Sequence, residues 1–372
     1  MTTVVLLPGQ MGLPMVRRMS IPTEPIGSIP RPLALQTALA EHAQGRLSDD
    51  ELAKLQDQAT ADTLARLEEL GCPVLVDGEQ AKPSFATYPI MGLTTLDPAG
   101  AVIPFADGHT RQLPHLTSGP FRYQVHAGTY VRSAQRHTDR PLKQAVIAPS
   151  ALSLLYPGEP LDGYSREAFL QDLADEAESD IRGCLDAGAH RVQLDFTEGR
   201  LSLKLDPSGE LLKTFIALNN QVLSRFTEDD RTRLGVHTCP GGDHDSTHSL
   251  DVDYAELLPE LFRLEVGNFY VQLASEDDPE RVLQIIAAQL RPGIRVFIGV
   301  TDPISTTVET PEEVRDRILL AARFLPVDQL GTCDDCGFSP FADDTSTSRD
   351  LAFAKIEARV KGTLLAAQAL GR

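Results

Sequence analysis

The 372-residue sequence contains no tryptophan, only five cysteines and no long hydrophobic run. Its longest apolar stretches, such as residues 296–300, fall far short of the ~20 apolar residues needed to cross a bilayer. Five cysteines, an odd number clustered towards the end of the chain, do not form a disulfide framework and suit a reducing compartment. We therefore expect a cytoplasmic protein without a membrane segment.

Basic residues are also scarce: 34 Lys and Arg stand against 53 Asp and Glu, which gives a formal net charge of −19. Because this charge repels phosphate backbones and anionic lipid surfaces, we expect neither nucleic acid nor a membrane as a partner. The 42% of hydrophobic residues is enough for a substantial core. The composition therefore favours a globular protein that acts on a small molecule.

Short runs rich in β-branched residues alternate with stretches of helical spacing along most of the chain. The predicted strands are residues 26–28, 74–78, 144–148, 191–195, 234–239, 269–274, 295–300 and 330–333, and the predicted helices are residues 34–70, 166–187, 211–226, 253–264, 279–290, 311–324 and 348–369. Eight strands with intervening helices in about 350 residues predict an α/β fold, the (β/α)8 TIM barrel. We expect residues 21–372 to form this single barrel, after a loosely ordered leader, residues 1–20.

The long gap between the second and third predicted strands, residues 81–142, is predicted to be an insertion over the barrel mouth. Weak alternation at residues 124–131 suggests a hairpin within it. Helix starts are also visible: Thr310, Pro311 and Glu313 combine a capping hydroxyl, a first-turn proline and an acid.

Polar residues follow several predicted strands, and in a parallel barrel these strand ends form the active-site rim. His237 and Cys239 end the fifth strand, and Cys336 follows the eighth. Two thiolates and an imidazole suit Zn²⁺, and three protein ligands would leave one position open for a substrate. Alternatively, the two cysteines could be small buried core residues and His237 a hydrogen-bonded core histidine. Cys333 and Cys336 could instead form a redox dithiol.

Two carboxylates, Glu79 and Asp195, also stand at the predicted rim, without an obvious basic neighbour in the sequence. Such groups hold a substrate ammonium or accept a proton, but they can also form an ion pair that closes the top of the barrel. Gly27 and Ser28, at the end of the first strand, could hydrogen-bond a carboxylate or simply turn the chain.

Together these motifs resemble the catalytic barrel of the cobalamin-independent methionine synthase family. The similarity covers most of the chain from Thr23 onward and rests on five segments: residues 23–30, with the sequence TEPIGSIP, Asp77-Gly78-Glu79, Gln193-Leu194-Asp195, His237-Thr238-Cys239 and Asp335-Cys336-Gly337. The resemblance implies a zinc-dependent transfer of a methyl group to the thiol of homocysteine, which forms methionine, with a methylated folate as the family's donor.

By this resemblance, His237, Cys239 and Cys336 would bind zinc, while Ile26, Gly27, Ser28, Glu79 and Asp195 would bind homocysteine. The family's fourth ligand, a glutamate after the sixth strand, corresponds to Gln272 here, so either Gln272 or the nearby Glu276 would complete the zinc shell. The family's proton-donating histidine after the seventh strand and its folate-stacking tryptophan are absent. The alkyl donor therefore stays open between a folate, a corrinoid, a simple methyl compound and an epoxide.

A related enzyme, epoxyalkane:coenzyme M transferase, is the alternative implied by these departures. It would open an epoxide with a zinc-bound thiolate of coenzyme M and would need no folate pocket. The developing alkoxide would require a proton donor, for which Asp302, Tyr88 and Tyr123 are candidates, and Asp302 is the predicted catalytic residue. The sulfonate of coenzyme M would require a cation, for which Arg31 and Lys82 are candidates.

Overall fold

The computed structural model describes residues 21–372, so the expected leader lies outside the described residues. Before the central sheet, the chain forms the helices α1 (Leu33–Ala43), α2 (Asp49–Glu69) and α3 (Gly128–Ala134) and the short strands β1 (Leu96–Asp97), β2 (Val102–Pro104), β3 (Thr110–Gln112) and β4 (His115–Leu116). The predicted helix over residues 34–70 is therefore wrong as a single element. Gly45 adopts a positive φ of 70° after α1, and Ser48 starts α2 with a capping box to Glu51.

The remaining elements are the strands of the central sheet, the helices between and after them, as the sequence predicts, and one additional short strand pair. They are β5 (Lys143–Ile147), α4 (Pro149–Leu152), α5 (Arg166–Asp186), β6 (Arg191–Asp195), α6 (Glu198–Leu205), α7 (Glu210–Leu223), α8 (Glu228–Arg233), β7 (Leu234–Thr238), β8 (Gly242–Asp243), β9 (Ser246–Thr247), α9 (Tyr254–Leu261), β10 (Asn268–Val271), α10 (Pro279–Gln289), β11 (Arg295–Gly299), α11 (Pro311–Ala321), β12 (Leu330–Cys333) and α12 (Arg349–Ala369). The predicted start of α11 is confirmed, since Thr310 and Glu313 form a capping box around Pro311.

Six parallel strands form the central sheet in the order β5-β6-β7-β10-β11-β12. Two extended segments link its edges: Thr23 bridges Thr332 of β12, and Leu75 bridges Leu142 just before β5. The two segments meet where the N–H of Ile29 donates to the carbonyl of Gly78 at 3.0 Å. The resulting ring is the expected (β/α)8-type barrel.

The first two predicted strands, residues 26–28 and 74–78, are thus wrong as regular strands. The first segment forms a bridge only at Thr23, before residue 26, and the second forms one only at Leu75. Prolines 22, 25 and 30 remove N–H donors from the first segment. The second segment turns at Gly78, whose φ is +68°. The irregular backbone brings two of the predicted rim residues, Ser28 and Glu79, to the site.

The insertion between residues 81 and 142 exists, but its hairpin lies elsewhere than predicted. Strands β2 and β3 form an antiparallel pair, whereas much of the predicted hairpin at residues 124–131 belongs to helix α3. The helix buries Val131 and Ala134, three residues apart, and it packs against α5. Gly128 permits this contact because a Cβ there would lie 2.4 Å from the carbonyl oxygen of Gly183.

The main hydrophobic core lies between the sheet and the surrounding helices. A separate small cluster fills the inside of the barrel with Ile26, Tyr270, Phe297 and Cys333. The rings of Tyr270 and Phe297 stack with their centroids 4.5 Å apart. This cluster includes Ile26, which also lines the main cavity at the barrel mouth.

Candidate metal centre and active site

The structure brings His237, Cys239 and Cys336 together at the carboxyl end of the sheet. His237 lies on β7, Cys239 follows that strand, and Cys336 follows β12. One potential ligand atom from each of the three lies within 4.8 Å of the others, and the two sulfur atoms are 3.0 Å apart. All five cysteines of the chain are free thiols.

The environment of His237 fits a metal site better than a core histidine. The side chain is buried, and neither ring nitrogen has a hydrogen-bond partner among the described residues. Leaving a buried polar group unsatisfied costs about 1–3 kcal/mol, and a metal bond would remove that cost for one nitrogen. With two thiols beside it, the donor set suits zinc.

Asp335 fixes the loop that carries Cys336. Its buried carboxylate accepts hydrogen bonds from the backbone N–H groups of Leu273, Ala274 and Ser275 at 2.8–2.9 Å and from the Ser275 hydroxyl at 2.7 Å. These four bonds tie the segment after β12 to the segment after β10. The Asp335 side chain and the backbone of residues 273–275 therefore fix the position of Cys336 relative to β10.

Gln272 is better placed than Glu276 to complete the metal shell. The Gln272 amide nitrogen donates to the Ser275 hydroxyl at 2.8 Å and to Glu276 at 3.2 Å. Its carbonyl oxygen is buried without a partner among the described residues, and it lines a small cavity together with Cys336. Glu276 instead pairs with the buried guanidinium of Arg200 at 2.8 Å.

Glu79 lines the main cavity of the barrel mouth, and it has the basic neighbour that the sequence analysis missed. Lys82 Nζ donates to Glu79 Oε1 at 3.0 Å and to the carbonyl of Ala145 at 2.8 Å. Although burial opposes it, the Glu79 carboxylate raises the pKa of Lys82 above its ordinary value. The second oxygen, Glu79 Oε2, is buried and has no hydrogen-bond partner within residues 21–372, so it can accept a hydrogen bond from a substrate.

Asp195, at the end of β6, lines the same cavity and lies next to His237 in the strand register. Gln193 donates to its Oδ1 at 2.8 Å. Burial raises the pKa of Asp195. The ion pair with Lys82 therefore occupies only one oxygen of Glu79. Glu79 and Asp195 both line the cavity.

Gly27 and Ser28 also line the cavity, beside Ile26. The Ser28 hydroxyl oxygen accepts the N–H of Ser339 at 3.2 Å, which leaves its proton free to donate. A Cβ on Gly27 would come within 3.2 Å of Glu79 Oε1, so this backbone passes directly beside the carboxylate. All five predicted substrate-binding residues are thus gathered around one cavity.

The insertion supplies the outer wall of this cavity, which has a volume of about 590 Å³ with its open mouth included. Ile103, Phe105 and Arg111 come from the β2–β3 hairpin and its surroundings. The Arg111 guanidinium forms ion pairs with Asp243 and Asp343. Its Nη2 lies 3.0 Å from Asp243 Oδ1, and its Nη1 lies 2.9 Å from Asp343 Oδ2. The hairpin is thereby tied to the loops that follow β7 and β12.

Asp302 is placed apart from the main cavity. It lines the smaller cavity with Gln272 and Cys336, and its Oδ1 accepts a hydrogen bond from the N–H of Ile304 at 3.0 Å.

The Arg31 guanidinium donates hydrogen bonds to the backbone carbonyls of Glu79 and Lys82, both at 2.9 Å. Both candidate cations for a sulfonate, Arg31 and Lys82, are therefore buried and already donate several hydrogen bonds to the protein.

Sequence reasoning missed Phe105 and Arg111, which line the main cavity, Glu198, which lines a neighbouring cavity, and the loop-fixing role of Asp335. The insertion has no strand-end pattern that would have pointed to Phe105 or Arg111. Glu198 stands three residues after Asp195, and this proximity to a rim residue was the only signal for it.

Residues 21–355 match the model of the family described as the catalytic domain of the cobalamin-independent synthase. The chain belongs to the cobalamin-independent methionine synthase family. A methionine synthase of Sulfurisphaera tokodaii is 22% identical, and the alignment covers 94% of each chain. A 5-methyltetrahydropteroyltriglutamate–homocysteine methyltransferase of Nitratidesulfovibrio vulgaris is 27% identical over 86% of this chain but only 39% of its own length.

Solved structures support the same fold for this cobalamin-independent synthase domain. A B12-independent methionine synthase from a Shewanella species, solved with selenomethionine, superposes with a TM-score of 0.75 at 22% identity and covers 94% of this chain and 98% of its own. The proteins named here give no support to the epoxide-opening alternative. Within residues 21–372, no helix combines the length and hydrophobicity that crossing a bilayer requires.

Proposed function

We propose that this family member is a zinc-dependent methyltransferase that methylates the thiol of homocysteine and forms methionine. The observation that carries the proposal is the cluster of His237, Cys239 and Cys336 beside a cavity that also contains Glu79 and Asp195. The first three supply a metal donor set, and the two carboxylates supply acceptors for an ammonium. Five free thiols suit action in a reducing compartment such as the cytoplasm.

The metal donor set would act on the acceptor sulfur. A free thiol has a pKa of about 8.5 and is mostly protonated at neutral pH. Zinc held by His237, Cys239 and Cys336, with Gln272 as a neutral fourth neighbour, would favour the ionised and nucleophilic form of the homocysteine thiol.

The carboxylates would orient homocysteine through its amino-acid end. Glu79 Oε2 has no partner among the described residues and would accept a hydrogen bond from the ammonium, with Asp195 as the second acceptor. Ser28 would donate its free hydroxyl proton to the substrate carboxylate. Because all three line the cavity that Cys336 also lines, they would hold the thiol towards the metal donor set.

The hairpin would shield the reaction from water. Ile103 and Phe105 add apolar surface to the cavity wall, and the Arg111 ion pairs hold the hairpin in this position. A drier site strengthens the electrostatic contacts that orient the substrate.

The test is to load the purified chain with zinc, measure the bound metal, and follow methionine formation from homocysteine with several methyl donors. We expect about one zinc per chain and methionine from at least one donor. A fully metal-loaded protein that transfers a methyl group from no donor would contradict the proposal.

A further inference from the structure

A second cavity opens beside the first and shares part of its wall. It has a volume of about 1090 Å³ with its open mouth included, which is large enough for a small organic molecule. Thr197, His248 and Phe341 line both cavities. A ligand in the second cavity would therefore lie next to the proposed homocysteine site.

The wall of this second cavity is mostly apolar. Ile147 at the end of β5, Leu152 and Leu154 after it, and Leu201 on α6 contribute aliphatic surface, and Phe85 contributes an aromatic ring. Such a wall favours a compact molecule with a large hydrophobic part.

Within residues 21–372, Glu198 is the one glutamate that lines this cavity, and its carboxyl group is buried. It is 5% exposed, and its Oε1 accepts a hydrogen bond from the Ser150 hydroxyl. Its Oε2 is buried and has no partner among the described residues. The free oxygen can therefore interact with a ligand in the cavity.

Burial raises the pKa of Glu198 to about 8, which favours the protonated carboxyl group at neutral pH. The nearby Asp195 carboxylate acts in the same direction. A protonated carboxyl group can donate a hydrogen bond and then transfer its proton.

The two cavities offer no free cation for an anionic ligand. Arg111 is the only Arg or Lys among the described residues that line them, and it already pairs with Asp243 and Asp343. Burial lowers the pKa of His248 to about 4, which keeps this imidazole neutral at pH 7. A donor with several negative charges would therefore find no counter-charge in this wall.

We propose that the second cavity binds the methyl donor as an uncharged methyl ether of a small aromatic alcohol, and that Glu198 protonates the departing ether oxygen. The inference rests on the proposed methylation of homocysteine and names the donor class for it. The ring would pack against the apolar wall, and the ether oxygen would accept the hydrogen bond from Glu198.

The reaction balances without a further reactant. The homocysteine sulfur, as thiolate, attacks the methyl carbon, so that an S–C bond forms and the C–O bond breaks. The electron pair of the C–O bond remains on the oxygen, which takes the proton of Glu198 and leaves as a phenol. Glu198 then regains a proton from solvent, which replaces the one lost when the thiol ionised.

The experiment uses the zinc-loaded full chain, homocysteine and two donors. The first is 2-methoxyphenol, whose leaving oxygen needs a proton. The second is trimethylsulfonium, whose leaving group, dimethyl sulfide, needs none. For Glu198→Gln, in which the amide oxygen can still accept from Ser150, we expect the ratio of the first activity to the second to fall at least ~100-fold.

A pH profile and a pocket variant give two further readouts. With 2-methoxyphenol, wild-type turnover should fall as the pH rises through about 8, because Glu198 loses its proton there, and this limb should be absent in Glu198→Gln. Leu154→Trp should fill the cavity and weaken binding of 2-methoxyphenol at least tenfold by calorimetry. Leu205→Trp, an exposed position outside both cavities, is the matched control and should bind normally.

The outcomes separate this inference from the proposed function. Methionine formed from trimethylsulfonium, without binding or demethylation of 2-methoxyphenol, would overturn the inference and leave the proposed function standing. An unchanged activity ratio in Glu198→Gln, or unchanged binding in Leu154→Trp, would also overturn it. If no donor gives methionine, the proposed function fails, and the inference that rests on it fails as well.

Discussion

The buried pair of Glu79 and Lys82 gives the sharpest test of how the acceptor is bound. In Glu79→Gln, the homocysteine ammonium would lose a charged acceptor. A hydrogen bond to a charged group is worth about 1.5–3 kcal/mol, so the affinity for homocysteine should fall roughly 10- to 150-fold. Metal content should stay unchanged, because Glu79 is not in the cluster of potential metal ligands.

Lys82→Met tests the same contact through its pH dependence. Burial raises the pKa of Glu79, and removal of the Lys82 ammonium would raise it further. Only the carboxylate form attracts the substrate ammonium, and this form becomes more populated as the pH rises towards the pKa. Relative to wild type, the homocysteine affinity of Lys82→Met should therefore increase as the pH rises, by at most about tenfold per pH unit.

Unfolding in urea provides the control for both variants. The Lys82 ammonium and the Glu79 carboxylate are almost fully buried, and removing one member of a buried pair costs about 3–5 kcal/mol. The double variant should be less destabilised than the sum of the single variants, since neither charge is left alone. Normal homocysteine affinity in Glu79→Gln, or a Lys82→Met affinity that follows wild type at every pH, would refute this account.

Three further substitutions test the remaining roles. Cys336→Ser should lose most of its bound zinc and its activity, whereas Cys72→Ser, at a buried cysteine outside the cluster, should keep its zinc; equal metal contents would contradict the ligand assignment. Gln272→Glu should bind zinc more tightly and raise the pH at which the bound homocysteine thiol ionises, because the added negative charge disfavours a second anion; an unchanged pH profile would place Gln272 outside the metal shell. Asp302→Asn should reduce turnover less than Glu198→Gln does, because Asp302 lies outside both larger cavities; the opposite order would make Asp302 the proton donor.

The sequence was sufficient for the fold class and for six of the barrel strands, because buried parallel strands appear as short apolar runs. It misled where the backbone is irregular. Residues 26–28 and 74–78 carry the strand-like composition but form only single bridges nearby, and residues 124–131 look alternating although α3 occupies their second half. In these segments, contacts with distant parts of the chain help to decide the conformation, and a local sequence pattern does not reveal such contacts.

For the candidate site, the sequence predicted the residues at strand ends but not their partners. His237, Cys239 and Cys336 could be proposed together because parallel strands end at a common rim. Lys82 is only three residues from Glu79, yet nothing in that spacing shows that its ammonium turns towards the carboxylate. Arg111 and Glu198 depend on packing between segments far apart in the chain, which no local pattern reveals.

The arrangement also explains how a site assembled from separate loops can keep one geometry. Cys239 directly follows the end of β7, so the sheet positions it, whereas Cys336 lies on a loop that could otherwise move. The Asp335 carboxylate prevents this, because its four hydrogen bonds bind the loop to the segment after β10. The same segment carries Gln272, so the Asp335 hydrogen bonds hold the proposed sulfur ligand Cys336 and the proposed oxygen ligand Gln272 in a fixed relation. The conformational entropy lost in ordering these ligands is therefore lost during folding and not during catalysis.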